Sequence, residues 1–261
     1  MRARKRFGQH FLTDTSIISG IADQVNLGPE DALLEIGPGR GALTEVLYGR
    51  SRIFKAIELD RDLIPHLQSA FPDIELINQD VLRTEFGEVT EGITGWRLVG
   101  NLPYNISSPL LAKIAQFVRE QPQAIRDGHF MLQKEMADRI GAQPGTKAWG
   151  RLSVMLQLHF DVEHLLDVPP ESFSPRPKVD SSVIRLSTRP TPVPVKNMSI
   201  LDQVLKQAFS ARRKRLGNAL KTLEIDWDAC GVNPDLRADD VSLDEFVRLS
   251  DCLGDTGDRQ A

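Results

Sequence analysis

Glu35-Ile36-Gly37-Pro38-Gly39-Arg40-Gly41-Ala42 is the stretch on which the fold of this chain turns. It follows the apolar run Ala32–Leu34 and leads into a helix-like segment, Gly41–Gly49, so it reads as the turn from a strand into a helix. Gly37, Gly39 and Ala42 match G-x-G-x-x-G/A, a loop that lets the main chain approach a nucleotide closely. Glu58 stands 21 positions after Gly37, at the end of the next strand, where a carboxylate can accept both hydroxyls of a ribose.

Outward from that loop, short apolar runs alternate with helical spacing. Ala32–Gly37, Ile53–Leu59, Ile74–Asp80, Trp96–Leu102 and His129–Lys134 read as strands, with helix-like Gly41–Gly49, Asp60–Ala70 and Pro109–Arg119 between them. Strands apolar on both faces belong in a parallel sheet covered by helices, with the ligand outside their carboxyl ends. Leu152–Val168 and Ser181–Ser187 read as two final strands joined by an irregular, proline-rich loop. The expected fold is therefore α/β: a Rossmann-like, mostly parallel sheet of seven strands with a reversed final strand, plus a small helical domain. Pro190, Pro192 and Pro194 mark the linker, giving domains 1–189 and 190–261. Ile200–Leu220 and Leu243–Leu253 carry helical spacing, and the acidic tail after them reads as frayed.

The composition supports one large domain or a domain and a small companion: 261 residues, 41% hydrophobic and 26% charged. Cys230 and Cys252 are the only cysteines, in no CxxC pair, which excludes a disulfide scaffold and a cysteine-based zinc site; no metal is expected. No apolar run reaches the ~20 residues of a membrane span, and the basic start lacks the apolar core of a signal peptide. A soluble cytoplasmic protein without a membrane partner is the expectation. Net charge is −4, so phosphate binding has to come from local patches. Two exist: Arg2, Arg4, Lys5 and Arg6 in the amino-terminal arm, and the block Arg212-Arg213-Lys214-Arg215.

Chemistry narrows the ligand. Pro38 has no N–H to offer a pyrophosphate, whereas S-adenosylmethionine has no phosphate to cradle. Asp80, closing the third strand, can accept the amino group of an adenine, so Glu58 and Asp80 make an adenosine clamp. After the fourth strand comes Asn101-Leu102-Pro103-Tyr104. An exocyclic adenine amine is a poor nucleophile because its lone pair is delocalised into the ring. Two acceptors aimed at its N–H groups, the Asn101 amide oxygen and the Leu102 carbonyl, favour the pyramidal form that attacks. Pro103 stiffens the turn, and Tyr104 offers a stacking face worth about 1–3 kcal/mol.

With these motifs the chain resembles the ribosomal RNA adenine dimethyltransferases, most closely the KsgA-type enzymes of the small (16S) subunit. The resemblance rests on Arg4–Leu12, Glu35–Thr44, Glu58–Asp60, Asn101–Leu111, Phe130–Glu135, Gly150–Met155, Val168–Leu186 and the basic segment within Phe209–Leu220. It implies S-adenosylmethionine contacts from His10, Leu12, Gly37, Glu58, Asp80 and Asn101. It places Tyr104 on one side of the target base and Phe173 on the other. Many relatives carry Asn where this chain has His10. The implied reaction is transfer of two methyl groups to each of two adjacent adenosines in the 3′-terminal hairpin of 16S rRNA, within an immature 30S particle. A monomer is expected, with Arg212, Arg213 and Arg215 on a helix of the small domain as RNA contacts.

Three other readings compete. A 23S rRNA adenine dimethyltransferase or a DNA adenine methyltransferase would share the core. The intact Lys178–Leu186 segment and the RRK block favour the small-subunit group, and about 70 residues after the linker leave little room for a DNA target-recognition domain. A ribosome-assembly or transcription factor would use the fold for binding alone. An NAD oxidoreductase would need a hydride-site residue, which does not appear.

Overall fold

The run Ala32–Ile36 forms strand β2; a parallel strand flanks each edge, and all five of its residues are buried. In the computed structural model, which describes residues 10–191 and 193–257, those neighbours are β3 (Ile53–Ile57) and β5 (Trp96–Asn101). The sheet continues to β4 (Glu75–Ile77) on one side. On the other come β6 (Ile125–Gln133), β9 (Ser181–Thr188) and β7 (Phe160–Val168). Its order is β4-β3-β2-β5-β6-β9-β7, and β9, last in the chain, is antiparallel to both neighbours. A separate pair, β1 (Phe11–Leu12) with β8 (Phe173–Ser174), is antiparallel. The seven-stranded, mostly parallel sheet with a reversed final strand is as expected.

Helices α1 (Thr15–Val25), α2 (Ala42–Leu47), α3 (Ile64–Ala70), α4 (Phe86–Thr90) and α5 (Ser107–Glu120) belong to the same unit. Asp14 caps α1, its carboxylate accepting from the Ser16 and Ile17 N–H groups. Ile18, Ile21, Ala22 and Val25 then repeat at helical spacing and bury against Leu33, Leu43 and Leu47.

Contacts divide the described residues into two units. One holds those up to Ala137 and His159–Pro190; the other holds Asp138–Leu158 and those from Thr191 onward. The sequence-based division at 189/190 thus differs over 138–158. The reason is local packing. Residues 152–168 are not one strand region: α7 (Arg151–Gln157) comes first, and β7 follows. Val154 and Leu158 bury in a core with Trp149, Leu201, Val204 and Phe246, and Gln157 ties the helix to the Ile140 and Ala142 carbonyls. The second unit also holds α8 (Met198–Ser210), α9 (Leu216–Ala219), α10 (Trp227–Cys230) and α11 (Leu243–Gly257), while α6 (Lys134–Ile140) crosses the boundary. Helix α11 runs beyond Leu253, into the segment whose composition reads as frayed.

Candidate active site

The glycine loop ends β2 and shapes the floor of a cleft. Gly41 sits at φ +87°, and a Cβ there would meet the Phe71 ring at 2.7 Å, so no side chain fits. Gly37, at φ +70°, has nothing within 4 Å of a Cβ position; a side chain would stand in cleft space. Three of the loop's donors are committed within the protein. Gly37 N–H reaches the Ile57 carbonyl at 2.9 Å, Gly41 N–H the Pro38 carbonyl at 2.8 Å, and Gly39 N–H the Glu58 carboxylate at 3.0 Å. Pro38 has no N–H. These commitments leave fewer loop donors for a pyrophosphate, which disfavours a dinucleotide.

The cleft encloses about 1270 Å³ including its open mouth, and it brings together His10, Leu12, Gly37, Glu58, Asp80 and Asn101 through Tyr104. Glu58 is 6% exposed, its carboxylate held by the Gly39 and Asp60 N–H groups, the second at 2.8 Å. Burial pushes its pKa up, opposed by those two bonds. Asp80, half-exposed, accepts from Leu82 N–H at 3.0 Å. Both acids therefore come to the cleft on anchored main chain, at the carboxyl ends of β3 and β4.

The opposite wall is built by Asn101 to Tyr104. Asn101 Nδ2 donates to the main-chain oxygen of His10 at 2.9 Å. Only the nitrogen can serve a carbonyl, so Oδ1 is left as the acceptor. Leu102 N–H is used by the Met131 carbonyl at 3.1 Å, and the Pro103 carbonyl accepts from Ile106 N–H and Ser107 Oγ, both at 3.0 Å. The turn is thereby fixed from both sides. The Tyr104 hydroxyl lies 2.7 Å from Ser181 Oγ, and its ring stacks on His10 with centroids 5.7 Å apart. Burial pushes the Tyr104 phenol pKa up.

Phe173, expected on the far side of the target base, is not among the residues that line the cleft: it pairs with Leu12 across β1 and β8 and is 5% exposed within the core. The basic block also departs from expectation. Residues 211–215 join α8 to α9 as a turn, not a helix. Arg212 Nε pairs with Asp239, and its Nη2 donates to the Lys147 and Trp149 carbonyls at 2.7 and 3.1 Å. Its guanidinium is a structural bracket. Arg215 pairs with Asp235 at 2.7 Å on the surface, while Arg213 and Lys214 are exposed and have no ion-pair partner among the described residues. The basic arm, Arg2 to Arg6, lies outside the described residues.

One cleft residue, and one partner buried behind the wall, were not singled out from sequence. Glu35 is 2% exposed and accepts from Thr44 Oγ1 at 2.7 Å; burial pushes its carboxyl up to about 7. Its place in a motif at a strand end, in an otherwise apolar run, was the available signal. Ser181, wholly buried, had none, because its partner Tyr104 is distant in sequence.

A Rossmann-like sheet with two acids at successive strand ends, a glycine loop poor in free donors and an Asn-Leu-Pro-Tyr wall defines a methyltransferase. Comparison with known proteins agrees: the family model described as ribosomal RNA adenine dimethylase matches residues 1–255. This chain belongs to the ribosomal RNA adenine dimethylase family and is an rRNA-modifying methyltransferase. Ribosomal RNA small subunit methyltransferase A of Pseudomonas syringae pv. tomato is 47% identical over 260 residues, 97% of this chain and 96% of that protein. The protein of that name from Cupriavidus metallidurans is 45% identical over 263 residues, 97% and 93% of the two chains. Among solved structures, the 23S rRNA methyltransferase ErmE aligns at TM-score 0.70 and 28% identity, covering 94% and 99%. A dimethyladenosine transferase from Plasmodium falciparum aligns at TM-score 0.77 and 24% identity, covering 95% and 98%, a likeness of fold.

Proposed function

We propose that this chain transfers methyl groups from S-adenosylmethionine to N6 of two adjacent adenosines in the 3′-terminal hairpin of 16S rRNA. It acts as a monomer, in the cytoplasm, on immature 30S particles. The observation that carries the chemistry is the Asn101 amide, its nitrogen tied to His10 and its oxygen left as an acceptor beside the adenosine clamp. The small-subunit choice draws on the near full-length relatives, which are named for that subunit.

The residues fit the cofactor. Open space at Gly37 suits its methionine part, Glu58 its ribose and Asp80 its adenine amine, with Leu12 alongside. When bound, S-adenosylmethionine supplies an electrophilic methyl group on a sulfonium. The chain's own work is on the target base. Asn101 Oδ1 and the Leu102 carbonyl accept the two N–H bonds of N6, holding the amine and drawing out its lone pair. Tyr104 stacks on the base. After the N–C bond forms, the nitrogen is cationic and acidic, so its proton passes to water without a strong base.

Asn101→Ala tests the assignment. Turnover should fall by ~10²–10³, as for loss of one positioned polar group. Binding of the 30S particle should remain near normal. Near-normal turnover in this variant contradicts the role.

A further inference from the structure

His10 makes three contacts that a cofactor role does not use. Its main-chain oxygen accepts from Asn101 Nδ2 at 2.9 Å. Its ring stacks on Tyr104, centroids 5.7 Å apart and planes inclined by 27°. Its Nδ1 lies 2.7 Å from the Pro175 carbonyl oxygen. A carbonyl only accepts, so Nδ1 carries the hydrogen, which fixes both tautomer and ring plane. The next two residues, Phe11 and Leu12, are pinned by pairing with Ser174 and Phe173. His10 is therefore delivered to the cleft by a clamped strand.

We propose that His10 is a positioning residue for the adenine end of the site: its carbonyl sets the orientation of the Asn101 amide, and its imidazole covers one face of Tyr104 so that the target base stacks on the other. This rests on the reading above, in which Asn101 and Tyr104 handle the base. Each half has a physical reason. An amide turned the other way would present N–H groups to an amine that itself offers N–H. The Ser181 bond cannot orient the tyrosine ring, because the hydroxyl lies on the axis about which that ring rotates. Contact with a ring face restrains that rotation, and the imidazole supplies one such contact.

The test separates ring from main chain and His10 from the site reading. His10→Ala keeps the carbonyl and removes the ring; it should lower kcat about tenfold, the scale of one aromatic pair. S-adenosylhomocysteine affinity and KM for immature 30S particles should stay within about twofold, less than the 1.4 kcal/mol of a tenfold change. His10→Phe, which restores a flat ring, should recover most of the lost kcat. In a Tyr104→Ala background, His10→Ala should cost nothing further, because the residue it positions is gone. A tenfold loss of S-adenosylhomocysteine affinity with unchanged kcat makes His10 a cofactor contact and overturns the proposal. So does an unchanged kcat in His10→Ala, or no recovery in His10→Phe. If Tyr104→Ala itself turns over normally, the site reading falls and takes this proposal with it. A crippled Tyr104→Ala beside a normal His10→Ala sinks the proposal alone.

Discussion

The phenol of Tyr104 and the hydroxyl of Ser181 meet at 2.7 Å across 77 residues of sequence, at the point where β9 begins under the cleft wall. Ser181 is wholly buried, so its hydroxyl has no water to turn to. Tyr104→Phe should keep turnover within a few-fold, because stacking uses the ring, yet lower stability by about 1–3 kcal/mol, the cost of a buried polar group left unpaired. Adding Ser181→Ala should recover part of that loss in urea melts. Tyr104→Ala should abolish most turnover. A Tyr104→Phe enzyme as inactive as Tyr104→Ala would assign the hydroxyl, not the ring, to catalysis.

Glu35 makes stability depend on pH in the direction opposite to acid denaturation. Burial raises its carboxyl from 4.5 to about 7. Between those values the folded chain holds a proton that the unfolded chain has released, so this group's contribution falls as pH rises through the window. Glu35→Gln mimics the protonated form and can still accept from Thr44. Its Tm should exceed that of the wild type at pH 8 and match it near pH 4.5. A constant difference at both pH values would contradict the assignment.

His129 acts the other way. It lies 1% exposed on β6, and burial lowers its pKa from 6.5 to about 4, opposed by Asp127 at 3.6 Å. Below pH 6.5 the unfolded chain takes up a proton that the folded chain refuses until about pH 4, so stability drains away across that window as pH falls. His159, also lowered by burial to about 4, adds a second such group. Each contributes a slope of at most about 1.4 kcal/mol per pH unit. His129→Gln should lower the slope of stability against pH by up to about 1.4 kcal/mol per pH unit in urea melts between pH 4.5 and 6.5. An unchanged slope would place the titration elsewhere.

Of the four cations in the turn after α8, Arg213 and Lys214 have no ion-pair partner among the described residues. Replacing Arg212 would break its bonds to Asp239 and to two main-chain carbonyls, so that variant confuses folding with binding. Arg213→Glu with Lys214→Glu avoids this. Each phosphate that is no longer neutralised should flatten the salt dependence of particle binding by ~0.7–0.9 units, so the pair should remove roughly 1.5. S-adenosylhomocysteine affinity should not move. An unchanged slope makes the turn an ordinary solvated surface.

Much of the fold was legible because its signals are local. An all-buried β2, a glycine turn and an acid at the next strand end lie within one short stretch, and each residue's role follows from near neighbours. Leu152–Val168 was misleading because an apolar run carries no period of its own; Trp149 and the α8 residues Leu201 and Val204 decided that its first half is helical. The basic block also fits helical spacing, yet the chain turns there. Leu216 N–H bonds the Leu236 carbonyl, Arg215 bridges to Arg237, and Asp239 draws in Arg212. Those are tertiary demands that no propensity contains. In the site, the acids and Asn101 were readable from position, whereas the burial of Phe173 and the contacts of His10 with Asn101 and Pro175 join segments 91 and 165 residues apart.

The central claim is methyl transfer to small-subunit rRNA. The direct measurement offers the protein S-adenosylmethionine labelled in its methyl group together with four substrates in parallel: immature 30S particles lacking the modification, naked 16S rRNA, 23S rRNA and DNA. The account predicts label in the 30S particles, recovered as N6,N6-dimethyladenosine at two adjacent positions of the 3′-terminal hairpin, and none there with Asn101→Ala. Label appearing instead in 23S rRNA or DNA, or in none of the four, would contradict it.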